Sequence, residues 1–275
     1  MSSSTQVVNR YNQRFEQLRQ AGAKAFVPFT LLGWPNADTS LEIIETMIES
    51  GATALELGLP FSEPIADGPV IQQAVAETLA TGFQIQTAFS LLKRVRQMDN
   101  HIPIGLLVYY NTILAQGTQH FFEQIADCGV DGVLIADLPP ESAEEVADAA
   151  RQHNIHLIFI ASPLTNPERL ARLEALAGGF VYVVSRLGIT GTEARYDTDL
   201  QALLQRLHQH TKLPCLVGFG ISTPEQARHM LQLGADGVIT GSRILEIVRQ
   251  QANNPTAWRA ALSGFLKEMV ESVRS

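Results

Sequence analysis

Short apolar segments alternate with longer amphipathic segments along this chain from residue 24 onwards. Each short segment is followed by at least one stretch whose apolar residues have helical spacing. Strands that alternate strictly with helices form a parallel sheet that is covered on both faces. At this point a closed barrel and an open, doubly wound sheet both remain possible. We predict strands at 24–30, 53–60, 103–109, 132–136, 156–161, 180–185, 213–218 and 237–240.

A repeated junction between helix and strand favours the closed barrel. Residues 50–54, 128–133 and 233–238 each contain a glycine that can end a helix, followed by residues that turn into a strand. Eight such units fit about 250 residues, the usual size of a (β/α)8 barrel. We therefore predict an α/β fold, a single (β/α)8 TIM barrel that occupies residues 1–275 as one domain.

The helix pattern adds elements to this barrel. Extra helices are expected at the N-terminus, after the second strand and at the C-terminus. Thr39 and Glu42 have the spacing of a capping box, which predicts a helix that opens at Thr39 and ends at Gly51. The stretch 186–196 contains glycines and threonines and is predicted to be a mobile loop. Helices are predicted at 5–20, 39–51, 70–79, 85–98, 119–128, 141–152, 167–176, 200–210, 224–233, 243–250 and 256–273.

Charge and composition exclude several classes of protein. The net charge is −8, which argues against a nucleic-acid-binding surface, since such a surface needs a basic face. Cys128 and Cys215 lie far apart and form no CxxC motif, so we expect reduced thiols in a cytoplasmic protein. No run approaches the roughly 18 apolar residues of a membrane span. We expect neither a nucleic-acid nor a membrane partner.

Glu56 is unusual because it lies in the middle of an apolar strand. It shares a strand face with Ala54 and Gly58, which are small. Burial of an unpaired carboxylate is costly, so the site must supply a partner, raise the pKa or use the group. A structural ion pair and a functional role explain the pattern equally well. Gly58 is expected to leave space for a substrate.

The remaining chemistry is expected on the loops that follow the strands, where barrel enzymes carry their sites. Asp67 lies in the loop after Glu56. Gly220 and the pair Gly241–Ser242 follow the seventh and eighth strands, the position at which such barrels commonly bind phosphate. A glycine–serine pair before a helix is also compatible with a simple N-cap.

The sequence predicts no metal site and no Schiff base. The seven histidines fall away from the strand ends that carry the site, and no cluster of histidines and cysteines has metal-ligand spacing. No lysine ends a strand. Aromatic residues do lie near the strand ends, although core packing explains any one of them equally well. They are Phe29, Tyr109, Tyr182 and Phe219.

Several motifs resemble those of one known family. The segment 56–69, Glu-Leu-Gly-Leu-Pro-Phe-Ser-Glu-Pro-Ile-Ala-Asp-Gly-Pro, closely resembles the signature of the tryptophan synthase alpha subunit family. The resemblance runs from residue 29 to residue 242 in order. Further matching segments lie at 105–109, 136–140, 185–191, 218–222 and 236–242.

The resemblance implies a lyase that splits indole-3-glycerol phosphate into indole and glyceraldehyde 3-phosphate by a retro-aldol reaction, in tryptophan biosynthesis. It implies no metal and no cofactor on this chain. It also implies an α2β2 complex in which indole passes to a beta subunit that carries pyridoxal phosphate. Two alternatives remain open, namely a stand-alone indole-releasing lyase and a non-catalytic regulatory barrel that only binds a phosphate ligand.

The resemblance also implies roles for individual residues. Glu56 corresponds to the general acid–base, and Asp67 to the carboxylate that accepts the indole N–H. Thr190 corresponds to the residue that orients this aspartate when the sixth loop closes. Glu63 and Leu187 depart from the residues that are common in the family. The phosphate cradle corresponds to Gly191, Gly220, Gly241 and Ser242, and the indole pocket and substrate lining to Phe29, Leu107, Tyr109, Tyr182 and Phe219.

Overall fold

The computed structural model describes residues 8–184 and 193–274, with the side chains of residues 193–196 left out. Eight parallel strands close into a barrel in which each strand pairs with its neighbours in chain order, and β8 pairs with β1. This confirms the barrel and excludes the open sheet. The strands are β1 Ala25–Leu31, β2 Leu55–Gly58, β3 Ile104–Val108, β4 Gly132–Ile135, β5 His156–Ala161, β6 Val181–Val184, β7 Cys215–Gly218 and β8 Gly237–Thr240.

Helices surround the barrel, and the three predicted additions are present: α1 precedes β1, α3 and α4 both follow β2, and α12 follows α11. None of the described helices has the length and hydropathy that a membrane span requires. The helices are α1 Arg10–Ala21, α2 Ala37–Glu49, α3 Pro69–Ala80, α4 Ile85–Met98, α5 Tyr110–Gln116, α6 Thr118–Asp127, α7 Glu144–Gln152, α8 Pro167–Leu176, α9 Glu193–His210, α10 Pro224–Gln232, α11 Ser242–Gln250 and α12 Pro255–Ser272.

Several helix boundaries differ from the prediction, and one helix was missed. Helix α2 begins at Ala37, because the side chain of Asn36 accepts the N–H of Thr39 at 2.9 Å and is itself the N-cap. The capping box at Thr39 was therefore wrong. Helix α5 was missed, since it fills the short connection between β3 and α6. Helix α9 begins at Glu193, so the last residues of the predicted loop are helical.

The end of the barrel that holds the N-termini of the strands is closed by Tyr11, which α1 inserts from below. Tyr11 is fully buried, and its ring lies 5.8 Å from the rings of both Phe15 and Phe180. Glycines on two strands make room for it. A Cβ atom at Gly105 would lie 2.5 Å from the Tyr11 hydroxyl, and one at Gly132 would lie 2.9 Å from its ring. Tyr11 can therefore fill the bottom of the barrel only because β3 and β4 carry glycine at the positions that face it.

The three predicted helix-to-strand junctions share one backbone conformation. Their glycines have φ angles of +91°, +79° and +107°, which residues with side chains rarely adopt. The N–H of the next residue reaches the carbonyl five residues earlier, as in a Schellman motif. The repeated junction is thus a structural repeat. The glycines are Gly51, Gly129 and Gly234.

The same junctions are also hydrogen-bonded to the preceding strand of the barrel. Two residues after each glycine, a polar side chain accepts a backbone N–H from the preceding strand. Asp131, which is 3% exposed, also forms ion pairs with Arg10 and Arg96, both at 2.9 Å. The three bonds run from Phe26 N–H to Thr53 at 3.0 Å, from Ile104 N–H to Asp131 at 2.9 Å and from Cys215 N–H to Asp236 at 3.0 Å.

Two glycine substitutions isolate the cost of this backbone conformation. A Cβ at Gly234 or at Gly264 would meet no atom within 4 Å, but Gly234 has a φ of +107° whereas Gly264 lies inside α12. We expect Gly234→Ala to lower the free energy of unfolding by about 1–2 kcal/mol. Gly264→Ala should raise it by about 0.5–1 kcal/mol. Urea denaturation of both variants measures the difference, and equal effects would contradict the junction's role.

Candidate active site

A cavity of about 530 Å³ opens at the carboxyl ends of the strands. Both carboxylates singled out in the sequence face it, together with most of the residues predicted to bind the substrate. The barrel therefore gathers residues from six different strands or strand ends into one site. The predicted residues that line it are Phe29, Glu56, Asp67, Leu107, Tyr182, Phe219, Gly220, Gly241 and Ser242.

Glu56 lies on β2 and points into the barrel, where it is 3% exposed. Its Oε1 atom has no hydrogen-bond partner, and no described lysine or arginine forms an ion pair with it. Burial, and then the charge of Asp67, raise the pKa of Glu56 to about 8. The carboxyl group is therefore mostly protonated at neutral pH. This arrangement disfavours the structural ion pair that the sequence left open.

Asp67 is held by Tyr109, which follows the end of β3. The Tyr109 hydroxyl donates to Asp67 Oδ2 at 2.8 Å and accepts the Ala66 N–H at 3.0 Å. Its ring stacks on Phe61 at a centroid distance of 5.0 Å. Burial raises the pKa of Asp67, and the Tyr109 hydrogen bond opposes that shift. Tyr109, which was predicted to line the substrate pocket, is not among the residues that line the cavity, and its hydrogen bonds hold the loop that carries Asp67.

The aromatic walls of the cavity rest on glycines of neighbouring strands. A Cβ atom at Gly58 or at Gly241 would lie 2.8 Å from the ring of Phe29. A Cβ atom at Gly218 would collide with the phenol of Tyr182. The expectation that Gly58 leaves space for a substrate was thus wrong, because the Phe29 ring and Leu31 occupy that space.

The two loops predicted to bind phosphate differ in what they can offer. At α10 the Gln226 side chain accepts the N–H groups of Ser222 and Thr223 at 2.8 and 3.2 Å, within a capping box, so these donors are taken. Gly220 has a φ of +78° and open space beside it, while Phe219 is strained at +92°. In the loop after β7, a phosphate could therefore be bound by the backbone around Gly220 but not by the N-terminus of α10.

Helix α11 offers a free terminus instead. Its N-cap is Gly241, and no described side chain caps it. Hydrogen bonding begins with the Ile244 N–H, which donates to the Gly241 carbonyl at 2.9 Å. The N–H groups of Ser242 and Arg243 precede this bond and face the cavity end of the helix. Free N–H groups at a helix start favour an anion.

Some predicted residues cannot be placed, and others were missed. Thr190, Gly191 and Leu187 lie outside the described residues. Leu134, Ala136 and Ile160 of the inner barrel wall line the cavity, and counting alternate positions along β4 and β5 could have found them. The ion pair Arg243–Glu246 at the cavity mouth was also missed, because its spacing resembles that of any surface pair.

The fold brings possible metal ligands together at the opposite end of the barrel, which the sequence did not predict. Ligand atoms of His208, Cys215 and Asp236 lie within 4.8 Å of one another. Lys24 already donates to Asp236 at 2.9 Å, and burial followed by the charge of Asp236 raises the pKa of the Cys215 thiol to about 12. These contacts favour a structural network over a metal site.

Comparison with known proteins decides the family. A model of the family described as tryptophan synthase alpha chain matches residues 15–274. The chain belongs to the tryptophan synthase alpha chain family. It is 42% identical to the alpha chain of Aliivibrio fischeri over 262 residues, which cover 95% of this chain and 98% of that one.

Further tryptophan synthase alpha chains agree in sequence and in fold. The alpha chain of Shigella sonnei is 42% identical over 268 residues, which cover 98% of this chain and all of that one. The crystal structure of the alpha subunit from Legionella pneumophila superposes with a TM-score of 0.89 at 31% identity, covering 97% of this chain and 99% of that one. The match thus extends over nearly the whole length of each protein.

The raised pKa of Glu56 should make the stability of this protein depend on pH. The unfolded chain loses the proton near the ordinary value of 4.5, whereas the folded chain keeps it until about 8. The free energy of unfolding should therefore fall as pH rises between these values. Glu56→Gln removes this penalty, so we expect it to gain roughly 3–5 kcal/mol on the wild type between about pH 5 and pH 9.

Urea denaturation across this pH range provides the measurement. Glu45→Gln, at an exposed position on α2, serves as the matched control. If the two variants differed from the wild type by the same pH-independent amount, a buried neutral carboxyl group at Glu56 would be ruled out.

Proposed function

We propose that this chain cleaves indole-3-glycerol phosphate to indole and glyceraldehyde 3-phosphate, as the alpha reaction of tryptophan biosynthesis. The observation that carries the proposal is a buried Glu56 with no ion-pair partner among the described residues, in the same cavity as Asp67, where burial raises the pKa of its carboxyl group. A reaction that first adds a proton to carbon and later removes one from oxygen needs such a group. The phosphate is expected at α11 and Gly220, at the same end of the barrel.

The first step is proton transfer from Glu56 to C3 of the indole ring. This proton places a positive charge on the ring, centred on its nitrogen. Asp67 accepts the ring N–H and stabilises the cation, a preorganised electrostatic contribution. Tyr109 keeps the Asp67 carboxylate in place, and Thr190 is expected to orient it when the sixth loop closes.

The second step is cleavage of the bond between C3 and the hydroxyl-bearing carbon of the glycerol chain. The bonding electrons return to the ring and neutralise it as indole. The hydroxyl oxygen loses its proton to the Glu56 carboxylate and becomes the aldehyde oxygen. Glu56 thereby ends in its starting state, and such acid–base help is typically worth about 10²–10⁴ in rate.

The ring itself accepts the electrons in this reaction, so no cofactor is required on this chain. Pyridoxal phosphate is expected only in a beta subunit. Pocket residues are expected to hold the indole by apolar contact, and backbone amides to bind the phosphate. The proposed indole contacts are Phe29, Leu107, Tyr182 and Phe219, and the proposed phosphate contacts are Gly191, Gly220, Gly241 and Ser242.

A beta-subunit partner in a cytoplasmic α2β2 complex is expected, and exposed apolar side chains near the cavity support a protein partner at this end of the barrel. Ile65, in the loop that carries Asp67, is 79% exposed, and Leu164, after β5, is 77% exposed. Leu114 on α5 is 51% exposed. All three lie at the end of the barrel where indole would leave. Glu63 is exposed in the same loop and would face this partner.

Substitution of the two carboxylates tests the chemistry. Glu56→Gln should lower kcat for indole release by about 10²–10⁴-fold, because the amide cannot transfer the proton. Asp67→Asn should lose about 10²–10³-fold, because the ring cation loses its counter-charge. Calorimetry should show that both variants still bind glycerol 3-phosphate. Glu45→Gln is the control, and normal turnover in Glu56→Gln would refute the assignment.

An assay with and without a beta subunit separates the alternatives. We expect slow indole release by the isolated chain and strong activation by the partner, because the partner packs on the loop that carries Asp67. Full activity alone would favour a stand-alone lyase. Binding of indole-3-glycerol phosphate without turnover, even with the partner, would favour a regulatory barrel.

A further inference from the structure

The charges around the cavity do not suit an anionic substrate at first sight. Two carboxylates, Asp67 and Glu246, and the buried carboxyl group of Glu56 line the cavity with one basic side chain, Arg243, among the described residues. A phosphate monoester carries close to two negative charges at neutral pH. Backbone dipoles at α11 offset part of this repulsion, since a helix start carries about half a positive charge. A positive side chain at the same place would offset more.

Arg243 lies at that place. It directly follows Ser242 in the first turn of α11, whose leading N–H groups are free of side-chain caps. Its side chain is 37% exposed, so it can move at the cavity mouth without breaking a packed core. Arginine presents a planar fork of donors that matches two phosphate oxygens.

The present partner of Arg243 holds it loosely. Arg243 Nη1 lies 3.4 Å from Glu246 Oε2, one turn along the same helix. In two other arginine–glutamate pairs that are three residues apart, Arg19–Glu16 and Arg228–Glu225, the nitrogen–oxygen distance is only 2.7 Å. A half-exposed pair of this kind contributes little to stability. The guanidinium is therefore free to exchange one anion for another at small cost.

We propose that Arg243 is a phosphate ligand of the substrate and that Glu246 is its placeholder, which it leaves when the phosphate arrives. The identity of the substrate rests on the proposed function, whereas the exchange requires only a phosphate monoester at α11. The guanidinium then joins the amides of Ser242 and Arg243 around one phosphate. Glu246 competes with that phosphate and keeps the empty mouth close to neutral.

Substitutions of opposite sign test this exchange. Arg243→Gln should weaken the affinity for glycerol 3-phosphate, measured by calorimetry, by about tenfold or more, since a charge-assisted contact is lost. Arg243→Lys should lose less, because it keeps the charge without the fork. Glu246→Gln should tighten binding by about two- to threefold, since the competing anion is removed.

Two further measurements separate ligand binding from a structural effect. Arg243→Gln should raise the KM for indole-3-glycerol phosphate while kcat changes little, and it should leave the affinity for indole, which has no phosphate, unchanged. Arg228→Gln removes an arginine from an equivalent pair on α10 outside the cavity and should alter none of these values.

The outcomes are distinct. Unchanged affinity of Arg243→Gln for glycerol 3-phosphate, or an equal loss of affinity for indole, would overturn the proposal. So would weaker phosphate binding by Glu246→Gln. If the wild-type chain binds glycerol 3-phosphate but releases no indole even with a beta subunit, the proposed reaction fails, and phosphate affinity alone still decides the role of Arg243.

Discussion

Removal of the Glu56 carboxyl group from water is the condition on which the cavity's chemistry depends. A carboxyl group in solution would be ionised at neutral pH and could not protonate a carbon atom. Residues on several sides of Glu56 exclude water from its carboxyl group. Tyr11 fills the space below, where Gly105, the register partner of Glu56, leaves room for its hydroxyl. Phe29, paired with Glu56 across β1 and β2, covers one side.

The opposite requirement holds for the phosphate end of the same cavity. There the structure offers polar groups without their usual partners. Helix α10 closes its own N-terminus with Gln226, but α11 does not, so the two neighbouring helix starts differ although both follow glycine-bearing loops. The site thus combines a desolvated acid with an open set of donors, and the barrel separates the two by placing them on different strands.

The sequence predicts most of the barrel because buried parallel strands are apolar and the glycine junctions recur. It also reveals Glu56, since a carboxylate in an apolar strand is conspicuous. It fails where two residues offer the same local chemistry. Asn36 and Thr39 can both cap a helix, and only the path of the chain after β1 selects Asn36. The sequence also did not reveal that Tyr109 holds the Asp67 loop, because Tyr109 lies just past the end of β3, where alternation no longer tells which way a side chain points.

The packing of aromatic rings against glycines on adjacent strands has a consequence for how the pocket can change shape. Phe29 occupies the volume that side chains at Gly58 and Gly241 would need, and Tyr182 does the same at Gly218. At this end of the barrel, a large side chain on one strand therefore requires a glycine on the adjacent strand. A smaller residue at position 29 would make a side chain at 241 sterically permissible, whereas a side chain at 58 would also need a smaller residue at position 31. The shape of the pocket can accordingly be changed by paired substitutions, in which one strand gains a larger side chain and its neighbour a smaller one, while the total side-chain volume stays constant.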